Sequence, residues 1–283
     1  TASSLDTFLF FTNRGRVFWR KVYELPLAGR AARGKAIVNL LELGEDEKVA
    51  AILPVSDLAN MDDSLTVLTV TKKGQIKKTT VAEYKRPLRK GKLGLTIRED
   101  DEILTAAITS GSNDILLVTK KGLSIRFNET DVRTMGRLAT GVKGINLADD
   151  DEVVGAAVIS SDDSVLTVTE NGYGKRTAVE EYRVQTRGGK GVLAIKTSER
   201  NGNVVGVLTV HDDDQVMLIA NSGKIIRMPM DTLRLIGRNT QGVRLINLEE
   251  HELVAGLSML AREEEMDEDE SDIVDDTGED TEA

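Results

Sequence analysis

Five times along the chain an alternating apolar–polar run breaks at a short polar turn with a glycine and then resumes. The runs are F-F-T-N-R-G-R-V at Phe10–Val17, T-V-T-K-K-G-Q-I at Thr69–Ile76, L-V-T-K-K-G-L-S at Leu117–Ser124, T-V-T-E-N-G-Y-G at Thr167–Gly174 and L-I-A-N-S-G-K-I at Leu218–Ile225. Alternation with period two predicts strands, and the glycine supplies the positive φ of a tight turn, so each run reads as a β-hairpin. The hairpin glycines, Gly15, Gly74, Gly122, Gly172 and Gly223, are 59, 48, 50 and 51 residues apart. A second glycine (Gly34, Gly91, Gly141, Gly191, Gly242) follows at offsets of 19, 17, 19, 19 and 19. A short apolar strand is expected after it, as at Val38–Leu41, Ile145–Leu147 or Leu245–Leu248. Next comes an acidic turn (Glu45–Glu47, Glu99–Glu102, Asp149–Glu152, Glu249–Glu252), softened in the fourth repeat to Ser198–Gly202. A β-branched strand closes each unit: Val49–Val55, Ile103–Ile108, Val153–Ile159, Val204–Val210 and Leu253–Leu260. Residues Ser56–Asp63 read as a surface loop insertion, and nothing reads as a long amphipathic helix.

Four short strands recurring every ~50 residues are the signature of radial β-sheet repetition. The predicted fold class is therefore all-β: a β-propeller or β-pinwheel of four-stranded blades with five countable repeats. The predicted domains are a repeat body, residues 1–260, and a tail, residues 261–283.

Charge sharpens this division. The 283 residues carry a net charge of −10, but residues 261–283 hold 13 acids and one base, a net of −12. The body is almost neutral, at +2. With two aliphatic residues in its last fifteen, the tail lacks a core and is expected to be disordered. In the body the two signs are sorted. Windows 14–35, 72–92, 120–143, 172–191 and 223–244 contain 32 of the 36 bases but only 7 of the 34 acids. Repeat geometry puts equivalent windows at one radius and height, so the bases are expected to form a belt. A basic belt suits a phosphate backbone. Aromatics are only 4% of the chain, which argues against single-strand stacking. The expected partner is double-stranded DNA, held through phosphates and bent, with little sequence readout.

Other chemistry is sparse. The absence of cysteine excludes disulfides and thiolate sites, and two histidines exclude a multi-histidine metal centre. His211, in H-D-D-D, and His251 read as surface-turn residues, so no metal site is expected. No apolar run approaches the ~18 residues of a membrane span, and no membrane association is expected. Trp19 reads as blade core or rim. Tyr84 and Tyr182, at matching repeat positions, read as packing groups rather than nucleophiles. No catalytic residue is expected.

At several strings the chain resembles the C-terminal DNA-wrapping domain of DNA gyrase A, a component of a type IIA topoisomerase. These are N-R-G-R-V-F-W-R-K-V-Y-E-L-P at Asn13–Pro26, A-R-G-K-A-I-V-N-L-L at Ala32–Leu41, E-N-G-Y-G-K-R-T-A-V-E-E-Y at Glu170–Tyr182 and G-R-N-T-Q-G-V at Gly237–Val243. The resemblance implies a β-pinwheel, usually of six blades with strands exchanged between neighbours. It also implies a glycine-rich box, Q-[RK]-R-G-G-[RK]-G, in the first blade. Here Q-T-R-G-G-K-G stands at Gln185–Gly191, in the fourth repeat, with Thr186 departing from the pattern. The first-blade box is thus expected upstream of Thr1. Adjacent glycines let backbone N–H groups approach a phosphate, or else Gly188 and Gly189 only shape a blade corner.

The predicted DNA-binding set lies around the second glycine of each repeat. It comprises Arg30, Arg33 and Lys35, then Arg86, Arg89, Lys90 and Lys92, then Arg133, Arg137 and Lys143. The fourth repeat adds Arg183, Gln185, Arg187, Gly188, Gly189, Lys190 and Gly191, and the fifth Arg234, Arg238 and Arg244. The resemblance implies a non-catalytic module of a bacterial, cytoplasmic, ATP-dependent supercoiling enzyme. Its partners would be the rest of gyrase A together with gyrase B, in a heterotetramer. ATP and Mg would belong to that holoenzyme, and this chain itself would carry no cofactor. Two alternatives remain: the equivalent domain of topoisomerase IV, and a propeller scaffold for protein partners.

Overall fold

The structure is a computed structural model that describes residues 2–29 and 32–260. The predicted tail, 261–283, lies outside the described residues. Nineteen strands follow one another in chain order among the described residues. The first repeat supplies β1 (Thr7–Thr12), β2 (Arg16–Lys21) and β3 (Val49–Val55). The second supplies β4 (Thr66–Thr71), β5 (Gln75–Thr80), β6 (Lys92–Leu93) and β7 (Ile103–Thr109). The third has β8 (Asp114–Thr119), β9 (Leu123–Asn128), β10 (Val142–Lys143) and β11 (Val153–Ile159). The fourth has β12 (Ser164–Thr169), β13 (Tyr173–Ala178), β14 (Val192–Leu193) and β15 (Val204–Val210). The fifth has β16 (Gln215–Ala220), β17 (Ile225–Pro229), β18 (Val243–Arg244) and β19 (Val254–Met259). Helical structure among the described residues is confined to short 3-10 turns, and no helix is long and apolar enough to cross a membrane.

The strands form five antiparallel blades, in the orders β3-β1-β2-β6, β7-β4-β5-β10, β11-β8-β9-β14, β15-β12-β13-β18 and β19-β16-β17. The first three strands of each blade come from one repeat, and in the first four blades the outermost comes from the next. Strands are therefore exchanged between neighbours. The closing strand carries a bulge at one repeated place, opposite Phe11/Thr12, Val70/Thr71, Val118/Thr119, Val168/Thr169 and Ile219/Ala220. An extra residue there raises the local twist of each innermost pair.

Both glycine positions owe their identity to this exchange as much as to the turn. Gly15, Gly74, Gly122 and Gly172 have φ of 75 to 86°. A Cβ on Gly15 or Gly122 would lie 2.2 or 2.3 Å from the carbonyl oxygen of Leu95 or Ile195 in the next repeat. Each of these hairpin glycines accepts, at its own carbonyl, the amide of that incoming segment: Gly94 and Leu95, Gly144, Ala194 and Ile195, Leu245 and Ile246. Gly91, Gly141, Gly191 and Gly242 in turn press on the backbone of the preceding hairpin.

This corrects the expected strand after the second glycine. The exchanged strand is two residues long and sits directly behind the glycine. The apolar residues beyond it, Leu95, Ile145, Ile195 and Ile246, are irregular backbone plugged into the preceding blade's core. In the first repeat, where no blade among the described residues precedes, Ile37–Asn39 forms a 3-10 turn with Val38 61% exposed.

Four cores lie between successive blades, and each joins both blades' strands to the plugged residue. The first joins Leu9, Phe11 and Trp19 to Val67, Tyr84 and Leu95. The supposed surface insertion contributes to it too, since Leu58 is buried and Met61 packs against the same core. On the outer side of the first blade, Phe10 and Phe18 are covered by Leu41 and its neighbours rather than by another sheet. At the other end β17 has no fourth strand among the described residues, and Ile225 on it is exposed.

Candidate nucleic-acid interface

The base-rich loop of each repeat is the segment that carries the chain back onto the preceding blade. Its cations fall into classes that depend on their distance from the second glycine. Four residues before that glycine stand Arg137, Arg187 and Arg238. Their Nη1 atoms donate to the carbonyls of Leu93, Lys143 and Leu193, at 3.1, 3.0 and 2.7 Å. Each acceptor belongs to the exchanged strand one blade back, so these arginines clip neighbouring loops together. Arg137 also meets Glu83 at 2.9 Å, and Arg187 Nε donates to the Asp131 carbonyl at 2.9 Å.

Eight residues before the glycine the chemistry changes. Arg133, Arg183 and Arg234 are exposed, and their side chains make no hydrogen bond or ion pair with the described residues. The second repeat has Glu83 at this place, committed to Arg137. The side chains of Lys90 and Lys190, just before the glycine, are likewise exposed and free, as are those of Arg33, Lys35 and Arg86. Arg89 lies 3.5 Å from Glu42. Lys143 reaches the Asn146 side chain at 3.2 Å, and Lys92 sits over the Trp19 ring at 5.9 Å. Arg244 donates to the Tyr173 hydroxyl at 2.9 Å. Arg200 and Arg244 stack on that ring, and their hydrogen bonds hold the hydroxyl below its usual range. Arg30 lies outside the described residues.

In the glycine-rich box, Gly188 has φ 78° and its N–H is used internally, donating to the Gly144 carbonyl at 2.6 Å. The Gly189 carbonyl accepts from Asn146 at 2.9 Å. The amides of Gly189 and Lys190 donate to no backbone carbonyl among the described residues, and Gly191 presses on Ser124. Gln185 donates its backbone N–H to the Arg126 carbonyl at 2.8 Å, while its Nε2 is buried without a partner among the described residues. The glycines thus shape the corner and leave two adjacent amides free.

Not every base in the sorted windows joins this rim. The hairpin-tip lysines meet the acidic turns, in the pairs Lys72–Glu102, Lys120–Glu152 and Lys121–Asp150. Others are structural. At one hairpin position Trp19, Lys78, Arg126 and Arg176 donate to carbonyls of the turn in the next repeat, at Tyr84, Glu129, Val179 and Met230. The belt is therefore narrower than the windows. It consists of the loop cations, while the hairpin tips are neutralised by the acids beside them.

Sequence reasoning missed Lys77 and Lys175. Both side chains are fully buried, without a carboxylate partner among the described residues. Burial and the nearby Arg137 push Lys77 down to about 8, and burial and Arg238 push Lys175 down to about 7. The signal was present in the repeat, since the equivalent residues are Phe18, Ile125 and Ile226, an otherwise apolar position. Tyr84 and Tyr182 are packed in the inter-blade cores, where burial pushes each hydroxyl up to about 12. His211 lies 3.1 Å from Asp163 in a surface turn.

Comparison with known proteins gives a coherent result. A family model described as DNA gyrase C-terminal domain, beta-propeller, matches residues 6–56, 66–110, 113–160, 163–211 and 214–260, one match per repeat. DNA gyrase A of Salmonella typhimurium is 45% identical over 274 residues, covering 97% of this chain and 31% of the relative. DNA gyrase A of Buchnera aphidicola (from Acyrthosiphon pisum) is 52% identical over 259 residues, covering 92% and 31%. The chain thus spans about a third of the length of these relatives. Among solved structures, the C-terminal domain of DNA topoisomerase IV superposes with a TM-score of 0.81 at 28% identity, covering 91% of this chain and 80% of that one. A DNA gyrase A C-terminal domain superposes at 0.80 with 24% identity, covering 92% and 84%, a likeness of fold.

Proposed function

Since the chain belongs to the DNA gyrase C-terminal domain family, we propose that it is a non-catalytic module that binds, bends and wraps duplex DNA around its loop-bearing rim. The observation that carries this reading is the repeated free arginine. Arg133, Arg183 and Arg234 occupy one position on successive repeats, exposed and unpaired, beside loops held by arginine clips. A row of equivalent cations at the pitch of the blades suits a repeating phosphate backbone. The same cation repeated from blade to blade matches a backbone that is alike at every base pair, so phosphate contacts would position the duplex and its sequence would matter little. Smooth bending of a 20–30 bp site by 40–90° costs on the order of 1–6 kcal/mol, which several phosphate contacts offset.

In the whole enzyme this module would join the remainder of gyrase A, and gyrase B, in the bacterial cytoplasm. By wrapping DNA with a fixed hand it would present a neighbouring duplex for strand passage, so that ATP turnover yields negative supercoils. ATP, Mg and the cleaving tyrosine would reside outside this chain. The topoisomerase IV superposition at 0.81 favours a second reading, the equivalent domain of that enzyme. The test is a length series of duplexes by gel shift, with nicked circles religated in the presence of the chain. Wrapping predicts affinity that grows with duplex length and a change in linking number on religation. Length-independent binding with unchanged linking number would leave local DNA binding and refute wrapping.

A further inference from the structure

The loops over the second and fourth blades differ from those over the first and third. Gly136–Gly141 and Gly237–Gly242 each carry one base, the clip arginine. The loops ending at Gly91 and Gly191 carry an additional lysine, Lys90 or Lys190, directly before the glycine. Where that lysine is missing above, another lies beneath. Lys77 Nζ donates to the carbonyls of Gly94, Gly136 and Arg137 at 2.5, 3.3 and 2.7 Å. Lys175 Nζ donates to the carbonyl of Gly237 at 2.8 Å, to that of Arg238, and to Thr240 Oγ1 at 3.4 Å.

Two consecutive carbonyls turned inward have a geometric consequence. No peptide in the described chain is cis. In a trans peptide the C=O and N–H point in opposite directions. With the carbonyls of Gly136 and Arg137 aimed at the ammonium, the N–H groups of Arg137 and Leu138 face away from the blade. The same holds for Arg238 and Asn239. None of these four amides donates to a backbone carbonyl among the described residues, and Leu138 is 70% exposed. Successive outward N–H groups make an anion-binding concavity. The buried charge behind them polarises each peptide, because hydrogen bonds in series strengthen one another.

We propose that Lys77 and Lys175 are positioning residues that build two main-chain phosphate sites, the amide pairs Arg137/Leu138 and Arg238/Asn239, each receiving a phosphodiester oxygen of duplex DNA. This rests on the DNA-binding reading above. The cations Arg133 and Lys143 flank the first pair in sequence, and Arg234 and Arg244 flank the second. Around the rim, a direct lysine contact would thus alternate with a lysine-backed amide contact.

The test uses the whole 283-residue chain. Titration of the wild type with a short duplex, followed by amide NMR, should shift these four amides downfield. The double variant Lys77→Met/Lys175→Met should lose those shifts and bind duplex roughly tenfold more weakly per site, as expected for losing hydrogen bonds to a charged group. Hydrogen exchange should quicken at 136–141 and 237–242 and stay unchanged at 187–191. Because the chain has no cysteine, Lys175→Cys can be alkylated in denaturant with 2-bromoethylamine and refolded. That restores an amine at this site and should restore the Arg238 and Asn239 shifts. Duplex binding by the wild type with these four amides unshifted would overturn the inference, as would unchanged duplex affinity in the folded double variant. Absence of duplex binding by the wild type would overturn the DNA reading itself.

Discussion

Removing the unpaired arginines should separate DNA affinity from stability. The side chains of Arg133, Arg183 and Arg234 are exposed and make no hydrogen bond or ion pair with the described residues, so Arg133→Ala/Arg183→Ala/Arg234→Ala deletes charge without deleting a polar fold contact. Surface changes of this kind usually alter stability by less than ~0.5 kcal/mol each. If each arginine neutralises one phosphate, the slope of log K against log salt falls by about 2.7. Between 50 and 200 mM salt, wild-type affinity should then fall roughly 40-fold further than that of the variant. The control is Arg187→Ala. It removes donors from the carbonyls of Asp131 and Lys143, at 2.9 and 3.0 Å. Loss of charge-assisted hydrogen bonds costs on the order of 1–3 kcal/mol, so this variant should melt several degrees lower. The assays are fluorescence anisotropy across a salt series and thermal unfolding. An unchanged slope in the triple variant, or a fall in its melting temperature matching that of Arg187→Ala, would refute the division between free and clipping arginines.

Gly122→Ala should be far more damaging than Gly223→Ala, by about 2 kcal/mol or more in chemical denaturation. Both sites have φ near 85°, but only Gly122 meets the next repeat, with Ile195 O 2.3 Å from the added Cβ. Glu47 should make the chain acid-sensitive. Burial works to raise its carboxyl, but the Gly44 amide, the Thr12 hydroxyl and Arg16 together hold it below its ordinary 4.5. Its contribution is therefore present above pH 4.5 and lost as pH falls through the lower folded value, so the stability gap between wild type and Glu47→Gln should close in acid. At the alkaline end, Lys77 and Lys175 bind protons less readily folded, at about 8 and about 7, than at their ordinary 10.5. The unfolded chain then binds more protons, so stability should rise with pH from about 7 towards 10, and Lys77→Met/Lys175→Met should abolish that rise.

The blades were legible because the hairpin is a local device. Thr69–Ile76 announces two strands and their turn through period two and Gly74 alone. The exchange was not legible from residues, because its determinants are backbone groups far apart in sequence. Gly15 reads as a turn glycine, yet its closest constraint is Leu95 O, 80 residues on. That is also why Ile145 read as strand: it is apolar, but it plugs a neighbouring core instead of extending a sheet. At the rim, composition located the loops but could not rank their bases. Arg183 and Arg187 look alike in sequence, and only the position of the Lys143 carbonyl makes one a clip. Lys77 was concealed for a related reason, since its partners are carbonyls, which every residue carries.

These backbone-mediated contacts bear on how the rim would act on DNA. The loops of the third, fourth and fifth repeats each belong by sequence to one repeat, lie on the preceding blade, and are clipped to the exchanged strand one blade further back. A loop cannot slide along the rim without breaking the clip, the hairpin-glycine carbonyl bonds and the plug in the core together. The backbones that carry the free cations therefore stand at a spacing set by the rotation between blades, so that only their side chains remain to be ordered on binding. Preorganisation of this kind reduces what association costs in lost freedom. Where a rigid row of charges meets a duplex of ~150 bp persistence length, the duplex is the partner with a smooth low-energy deformation available. The curve of the complex would then follow the blades, and weakening a clip should reduce bending before it reduces affinity.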